Sequence, residues 1–282
     1  MSVPEGYRQE SRARWGVQAE GWSAQAERMA RATMPVSVWL VDALGLQAGD
    51  DVLELAAGTG EVGFLAAEQI VPGGTLISSD FVPEMITVAQ ARAERLGITN
   101  VRFRQIDAES IDQPAASLDG VICRWGYMLM ADPEAALRET RRVLRPSARV
   151  ALAAWTGPGD NPWSALPNRE LVERGHVPRP DPEAPGQFAW ARLGLIGERL
   201  DAAGFAEFEV DVVDFLQVFE SFDSWIAAQR SLASRLRETL DGLDPGERDD
   251  VLAAVREQAL PFAQDDGSLA FPARTWVAWA SS

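Results

Sequence analysis

From about residue 50 to residue 155, short apolar runs rich in β-branched residues alternate with amphipathic stretches of helical period. That alternation is the pattern of βαβ units wound around a parallel sheet. It predicts strands over residues 51–55, 74–79, 101–105, 118–123 and 149–154, with helices over 61–70, 83–96 and 133–144 between them. Farther on, residues 193–203 read as a helix stopped by Gly204, 205–218 as a long strand rich in Val and Phe, and 274–280 as the last strand. A helical segment over 9–44 precedes this core, a proline-rich stretch over 157–186 interrupts it, and helices over 222–240 and 245–260 separate the last two strands. The expected fold is α/β, a Rossmann-like seven-stranded sheet sandwiched by helices, with core segments 46–156, 187–218 and 272–282. Residues 1–45 are expected to form an N-terminal helical lid, and 157–186 and 219–271 substrate-side insertions.

A chain of 282 residues accommodates one such core with additions. Hydrophobic residues make up 46% and charged residues 24%, a globular composition, and no apolar run approaches the roughly 20 residues of a membrane span. The opening MSVPEGYRQESRARWG lacks the apolar stretch and small-residue cleavage site of a secretion signal. With Cys123 the sole cysteine, no internal disulfide can form, so a soluble cytoplasmic protein, monomer or homodimer, is expected. A formal net charge of −16 repels phosphate backbones. The densest basic run, RETRRVLR at 138–145, reads as the solvated face of a helix with Leu137, Val143 and Leu144 inward. Neither nucleic acid nor membrane is therefore expected as a partner. The chain has no lysine, which removes Schiff-base, P-loop and Tyr/Lys dehydrogenase chemistry. A single histidine, His176, rules out zinc sites built from several His or Cys ligands, and no metal is expected.

The run DVLELAAGTGEVGFLAAE, residues 51–68, is a strand, a glycine turn and a helix. Gly58 and Gly60 let backbone approach a ligand, and the following helix start offers free N–H groups. Gly58, Gly60 and Gly63 also satisfy the GxGxxG dinucleotide fingerprint, with Asp80 about 20 residues on as the ribose acid. Both nucleotide readings stand at this point. Asp107 adds an acid at the end of the third strand, where a carboxylate can accept from an adenine amino group, and Glu54 sits just ahead of the glycines. Three carboxylates around one turn suit a cationic, phosphate-free ligand better than a dinucleotide.

ELAAGTG, SSDFVPEM, QIDAES and SLDGVICRWGYMLMADPEAALRETRRVLRPSARVALAAW resemble the successive motifs of class I S-adenosylmethionine-dependent methyltransferases, particularly the ubiquinone/menaquinone C-methyltransferase-like branch. WGVQAEGW, NPW and GQFAW…LDAAGF extend the resemblance over most of the chain. It implies an antiparallel last strand, S-adenosyl-L-methionine as cofactor and S-adenosyl-L-homocysteine as product. It also implies that Glu54, Ala56, Gly58 and Gly60 line the methionine end, Asp80 holds ribose, and Phe81 and Met85 flank adenine. Asp107, Ala108 and Glu109 would cap the adenine amino edge, Arg124 and Trp125 would lie beside the sulfonium, and Trp22 or Tyr7 would cover the cofactor. The family more often has Gly where this chain has Ser147.

Candidates for substrate contact are Tyr7, Trp15, Tyr127, Trp163 and Trp190. Aromatic faces attract a sulfonium and stack on flat substrates, although the ordinary use of such residues is to pack helices onto a core. His176, in ERGHVPRP, is the first candidate for a general base, with Asp160, Glu170 and Glu173 behind it; a lone loop histidine is more often a surface residue. Cys123 reads as a small core residue. The implied reaction is methyl transfer to O, N or C of a small aromatic or apolar metabolite, of quinone or natural-product type, by in-line displacement. Three alternatives stay open: a nicotinamide-dependent oxidoreductase using the glycine turn, a protein methyltransferase, and a cofactor-binding protein without catalysis.

Overall fold

The computed structural model describes residues 5–282. Among them, seven strands form one sheet: β1 (Asp51–Glu54), β2 (Thr75–Asp80), β3 (Val101–Gln105), β4 (Leu118–Arg124), β5 (Leu144–Trp155), β6 (Glu207–Phe219) and β7 (Leu269–Ser281), in the order β3-β2-β1-β4-β5-β7-β6. The first five pair in parallel, and β7 runs antiparallel to both β5 and β6. All strands but β7 therefore end on one edge, where open α/β sheets present their ligand-binding loops. Buried runs such as Val121, Ile122 and Cys123 explain why these central strands read as continuous apolar stretches.

Helices α2 (Glu61–Gln69), α3 (Pro83–Leu96) and α4 (Pro133–Val143) follow β1, β2 and β4. α4 begins where Asp132 accepts from the Ala135 N–H at 2.8 Å, ahead of Pro133, and ends on Arg141 and Arg142. In the basic run, Arg142 bonds Glu139 and the carbonyls of Ile111 and Gln113, while Arg145 pairs with Asp119. Ser147 adopts φ 67°, a left-handed conformation that explains why glycine suits this position better.

Three departures from the sequence expectation bear on the site. The first concerns α1 (Glu5–Leu44), a single helix of 40 residues that is only half a lid. Its C-terminal half places Val36, Leu40, Val41 and Leu44 in the main core, so no boundary falls at residue 45. Its N-terminal half packs Ala19 with Val82 and Met85 and runs against α7 (Phe222–Leu232).

The second departure is a ribbon. β5 pairs with β7 only as far as Trp155↔Thr275, whereas β6 and β7 stay paired out to Phe219↔Leu269. Residues 214–219 and 269–274 thus project beyond the sheet as two strands. Pro272 obscured this extension, because proline is confined to strands with an open edge; β7 has such an edge past Trp155.

The third lies in the insertions. The proline-rich stretch contains α5 (Pro162–Glu173), started by Pro162 after Asn161. The single helix expected over 222–240 is two, α7 and α8 (Ser234–Gly242), broken where Ala233 adopts φ −129° and ψ 95°. α6 (Leu195–Ala202) and α9 (Pro245–Ala259) match expectation closely, and among the described residues no helix is long and apolar enough to cross a membrane.

α1 meets α7 at Gly21, where an added Cβ would overlap the Ser231 carbonyl oxygen. Gly21→Ala should lower stability by about 1–3 kcal/mol in denaturant unfolding. It should also speed proteolysis within the N-terminal half of α1.

Candidate functional site

The strand ends of β1 and β4 carry unusual backbone. Ala56 has φ 51° and Trp125 φ 60°, both left-handed conformations that non-glycine residues rarely adopt, least of all bulky ones. Between them Gly126 is pressed so closely that an added Cβ would lie 2.7 Å from Ala56 Cβ and 2.6 Å from Cys123 Sγ. Gly58, at φ 55°, is the opposite case, since nothing lies within 4 Å of where its Cβ would be. The turn thus presents bare backbone to open space, with the exposed Ala56 beside it.

Asp80 closes β2 next to this opening. Its Oδ2 accepts from the Gly58 N–H and its Oδ1 from the Val82 N–H, each at 2.9 Å. Two backbone bonds leave lone pairs on both oxygens for hydroxyl donors. Burial pushes this carboxyl up to about 6 despite those bonds. Asp107, after β3, accepts from the Glu109 N–H at 2.9 Å through Oδ1, and among the described residues its other oxygen has no partner. Ala108 is buried beside it.

The N-terminal half of α1 closes the site from above. Trp22 packs with Phe81, Val82 and Met85, and its indole Nε1 is buried yet has no hydrogen-bond partner among the described residues. Trp15 lies against Trp22, ring centroids 5.8 Å apart, and Tyr7 donates to the Leu129 carbonyl at 2.9 Å. Burial raises the Tyr7 hydroxyl above its ordinary value. Beside this enclosure Trp125 donates from Nε1 to Thr275 Oγ1 at 2.9 Å and stacks on Trp155 at 4.2 Å.

Several sequence candidates are also tied into the scaffold. Glu54 is buried, its carboxylate accepting from the Gly63 N–H at 2.8 Å and the Ser78 hydroxyl at 2.9 Å. An added Cβ on Gly63 would overlap that carboxylate, so the third glycine of the fingerprint packs helix against strand. Burial pushes Glu54 up to about 7. Glu109 is tied to Arg8 and to the Asp132 N–H, linking α1 to α4. Arg124 is likewise buried, 3.1 Å from Glu61, and donates to Thr33 Oγ1 at 2.7 Å and Ser37 Oγ at 2.9 Å on α1.

The aromatic candidates divide. Tyr127 and Trp190 are fully buried, stacked on each other at 5.9 Å, with the Tyr127 hydroxyl on Thr140 and Arg199 over the Trp190 ring. They are core, and their assignment to substrate contact is withdrawn. Trp163, on α5, sits 5.3 Å from Trp155 and accepts the Trp225 N–H through its carbonyl, on the side of the projecting ribbon. His176 bonds Glu247 of α9 at 2.9 Å, and Arg174 shares that carboxylate. Cys123 is buried, its thiol pushed up to about 12, so it stays protonated.

Missed altogether were Thr33, Ser37, Glu61 and Arg92, whose roles appear only once α1, α2 and α3 are packed together. Thr33 and Ser37, four residues apart and both buried, were a signal of a polar stripe inside an otherwise apolar helix face.

Comparison with known proteins favours the methyltransferase reading over the dinucleotide one. A family model described as a methyltransferase domain matches residues 46–162. Over that segment the chain is similar to methyltransferase domains. It is 31% identical over 185 residues to the nocamycin O-methyltransferase of Saccharothrix syringae, covering 61% of this chain and 65% of that one. It is 32% identical over 129 residues to a ubiquinone/menaquinone biosynthesis C-methyltransferase of Pasteurella multocida, covering 45% and 48%. The chain spans less than two thirds of the length of the curated relatives it matches. In fold it is similar to the crystal structure of the YcgJ protein of Bacillus subtilis, at TM-score 0.56 and 23% identity, covering 87% of this chain and 97% of that one. The matched segment spans the glycine turn, the Asp80 and Asp107 strand ends and the strained Trp125, and stops at the start of α5.

Removing Arg124 leaves Glu61 buried opposite Arg92 alone, 3.9 Å away. Arg124→Met should cost about 3–5 kcal/mol in denaturant unfolding, and pairing it with Glu61→Gln should restore part of the loss. A bracing role predicts that double-mutant pattern; a residue acting only on ligand would leave stability unchanged.

Proposed function

We propose that this protein transfers the methyl group of S-adenosylmethionine to an O, N or C nucleophile of a small apolar or aromatic acceptor. The observation that carries the reading is the bare backbone at Gly58 bonded to Asp80, with an unengaged Asp107 oxygen at the end of β3 and the unpartnered indole N–H of Trp22 packed beside Phe81, Val82 and Met85. A cofactor with ribose hydroxyls, an adenine amino group and a positive charge, and without phosphates, matches those groups. Asp80 would accept from the ribose, the free oxygen of Asp107 from the adenine amino group, and Phe81 and Met85 would flank the ring. Ala108 flanks the ring, while Glu54 and Glu109 shape the site through the braces described above.

S-adenosylmethionine, when bound, supplies a methyl group on a cationic sulfur. Transfer of that methyl group to the acceptor's nucleophile would leave S-adenosylhomocysteine as product. This displacement needs no covalent residue, and the protein's contribution is alignment in a water-poor enclosure. The N-terminal half of α1 closes that enclosure, and Trp125, fixed by Thr275 and Trp155, holds one wall still. The displacement is not assigned a base, and His176 is bonded to Glu247 of α9. Small-molecule acceptors are supported by this burial, since a protein substrate needs an open cleft.

Isothermal titration with S-adenosylmethionine, S-adenosylhomocysteine, NADH and NADPH tests the cofactor. The adenosyl ligands should bind at about micromolar affinity and the nicotinamides not at all; nicotinamide binding alone overturns the proposal. Asp80→Ala should weaken S-adenosylhomocysteine by about 1–3 kcal/mol, and Trp22→Phe, which keeps the ring but loses the N–H, by about 0.5–1.5 kcal/mol.

The pH dependence follows from Asp80. Its raised value means that its contribution to the free fold is full below the ordinary 3.8 and lost as pH rises through about 6. Ligand hydroxyls favour the ionised form, so the opposite holds for affinity. S-adenosylhomocysteine binding should be level above about pH 6 and weaken by up to about tenfold per pH unit below it, with a flat profile in Asp80→Asn.

A further inference from the structure

The ribbon formed by the ends of β6 and β7 turns one face inward over the sheet edge. On that face Phe215, Phe219, Phe271 and Ala273 are buried, and among them lies one amide, Gln217, with no exposed surface. Gln217 Oε1 accepts from the Arg28 guanidinium at 3.0 Å, but its Nε2 has no hydrogen-bond partner among the described residues. A buried donor left unmade is a standing penalty to the free protein, and such groups are rare unless something else satisfies them.

Arg28 is unusual in the same way. It reaches from α1 across to the ribbon, bonds Gln25 at 2.8 Å and lies 4.6 Å from the centre of the Phe219 ring. Among the described residues no carboxylate comes within ion-pair distance of it, although the chain carries 42 acids. Arg92 and Arg124, which also meet α1, are each paired with a carboxylate. Burial without a counter-charge pushes the Arg28 guanidinium down to about 10. A cation kept unpaired and desolvated beside an unpartnered amide donor, with aromatic walls, matches one kind of group: an oxygen anion on a flat apolar body.

We propose that Arg28 and Gln217 form the recognition subsite for the methyl acceptor, holding an oxyanion of that acceptor while its apolar body packs on Phe215, Phe219 and Phe271. The proposal rests on the methyl-transfer reading above and adds the acceptor's chemistry to it. The anchored oxygen belongs to a carboxylate or to an enolate. An acceptor that arrives ionised also needs no histidine to deprotonate the anchored group, in keeping with the place of His176 on α9.

The test compares two ligand pairs in the presence of saturating S-adenosylhomocysteine, read by tryptophan fluorescence or calorimetry. One pair is naphthoate and its neutral amide, naphthamide. The other is hydroxynaphthoquinone, an enolate near neutrality, and its neutral methyl ether. At least one anion should bind about tenfold tighter than its neutral partner, as one charge-assisted contact would give, and the pair that shows it identifies the oxyanion. Arg28→Gln should abolish that preference and Gln217→Leu should reduce it, with S-adenosylhomocysteine affinity unchanged in both. Equal affinity within both pairs in the unaltered protein, failure of both anions to bind, or a preference that survives Arg28→Gln would overturn the subsite. If either substitution impairs folding, the comparison in the unaltered protein still decides. Failure of S-adenosylhomocysteine itself to bind would instead strike the cofactor reading.

Discussion

Glu61 is the point on which the strand-end architecture converges. It lies in the first turn of α2, immediately after the glycine turn, and accepts from the Thr59 hydroxyl at 2.6 Å. Arg124 at the end of β4 reaches it at 3.1 Å, and Arg92 of α3 lies 3.9 Å away. Arg124 in turn bonds Thr33 and Ser37, while Arg92 bonds the Thr59 carbonyl and Glu27. Through these groups α1, α2, α3 and β4 share one buried network. Burying such charges is costly, so the network must stay fully paired, and a fully paired network permits only one arrangement of its elements. The open backbone at Gly58 exists because the residues on either side of it are fixed in this way.

The enclosure above that turn is built on the opposite principle. Where Glu61 has its partners, Trp22 Nε1 and Gln217 Nε2 have none among the described residues, and Arg28 has no counter-charge among them. Stability gained below is offset by polar groups left unmade above. A ligand that supplies the missing acceptors binds with that difference in its favour, and a ligand without them encounters a desolvated donor. Discrimination by unmade hydrogen bonds is stronger than discrimination by apolar shape, which matters for an enclosure whose remaining walls are aromatic rings.

The parts legible in the sequence were those set by local chemistry. The strands over the first five sheet positions, the glycine turn and Asp80 each announce themselves within a few residues, by period, by conformational need or by a strand end. Asp107 was read from its place at the end of the third strand and Trp22 through resemblance, and each has an atom without a partner among the described residues. What escaped depends on partners distant along the chain. Nothing local reveals that Gly63, Ser78, Arg8 and Asp132 bond the oxygens of Glu54 and Glu109. Tyr127 and Trp190 looked like pocket walls because an aromatic pair buried face to face has the same composition as one lining a cavity. The ribbon was hidden by a proline that only an open strand edge tolerates, and the role of Arg28 by its setting in an unremarkable polar stretch of helix.

α1 joins the two halves of this arrangement. Its C-terminal half is core and cannot move without exposing Leu40 and Val41, whereas its N-terminal half carries Trp22 over the cofactor side and Arg28 against the ribbon. The two side chains stand six residues apart on one helix, so whatever holds that half of α1 in place serves both subsites. A cofactor that engages Trp22 fixes the helix from which Arg28 projects, and an acceptor that engages Arg28 does the same in return. On the proposed assignments the two ligands would be coupled through this shared element, with no contact between them required. That coupling suits a displacement reaction, whose rate depends on having both reactants aligned at once.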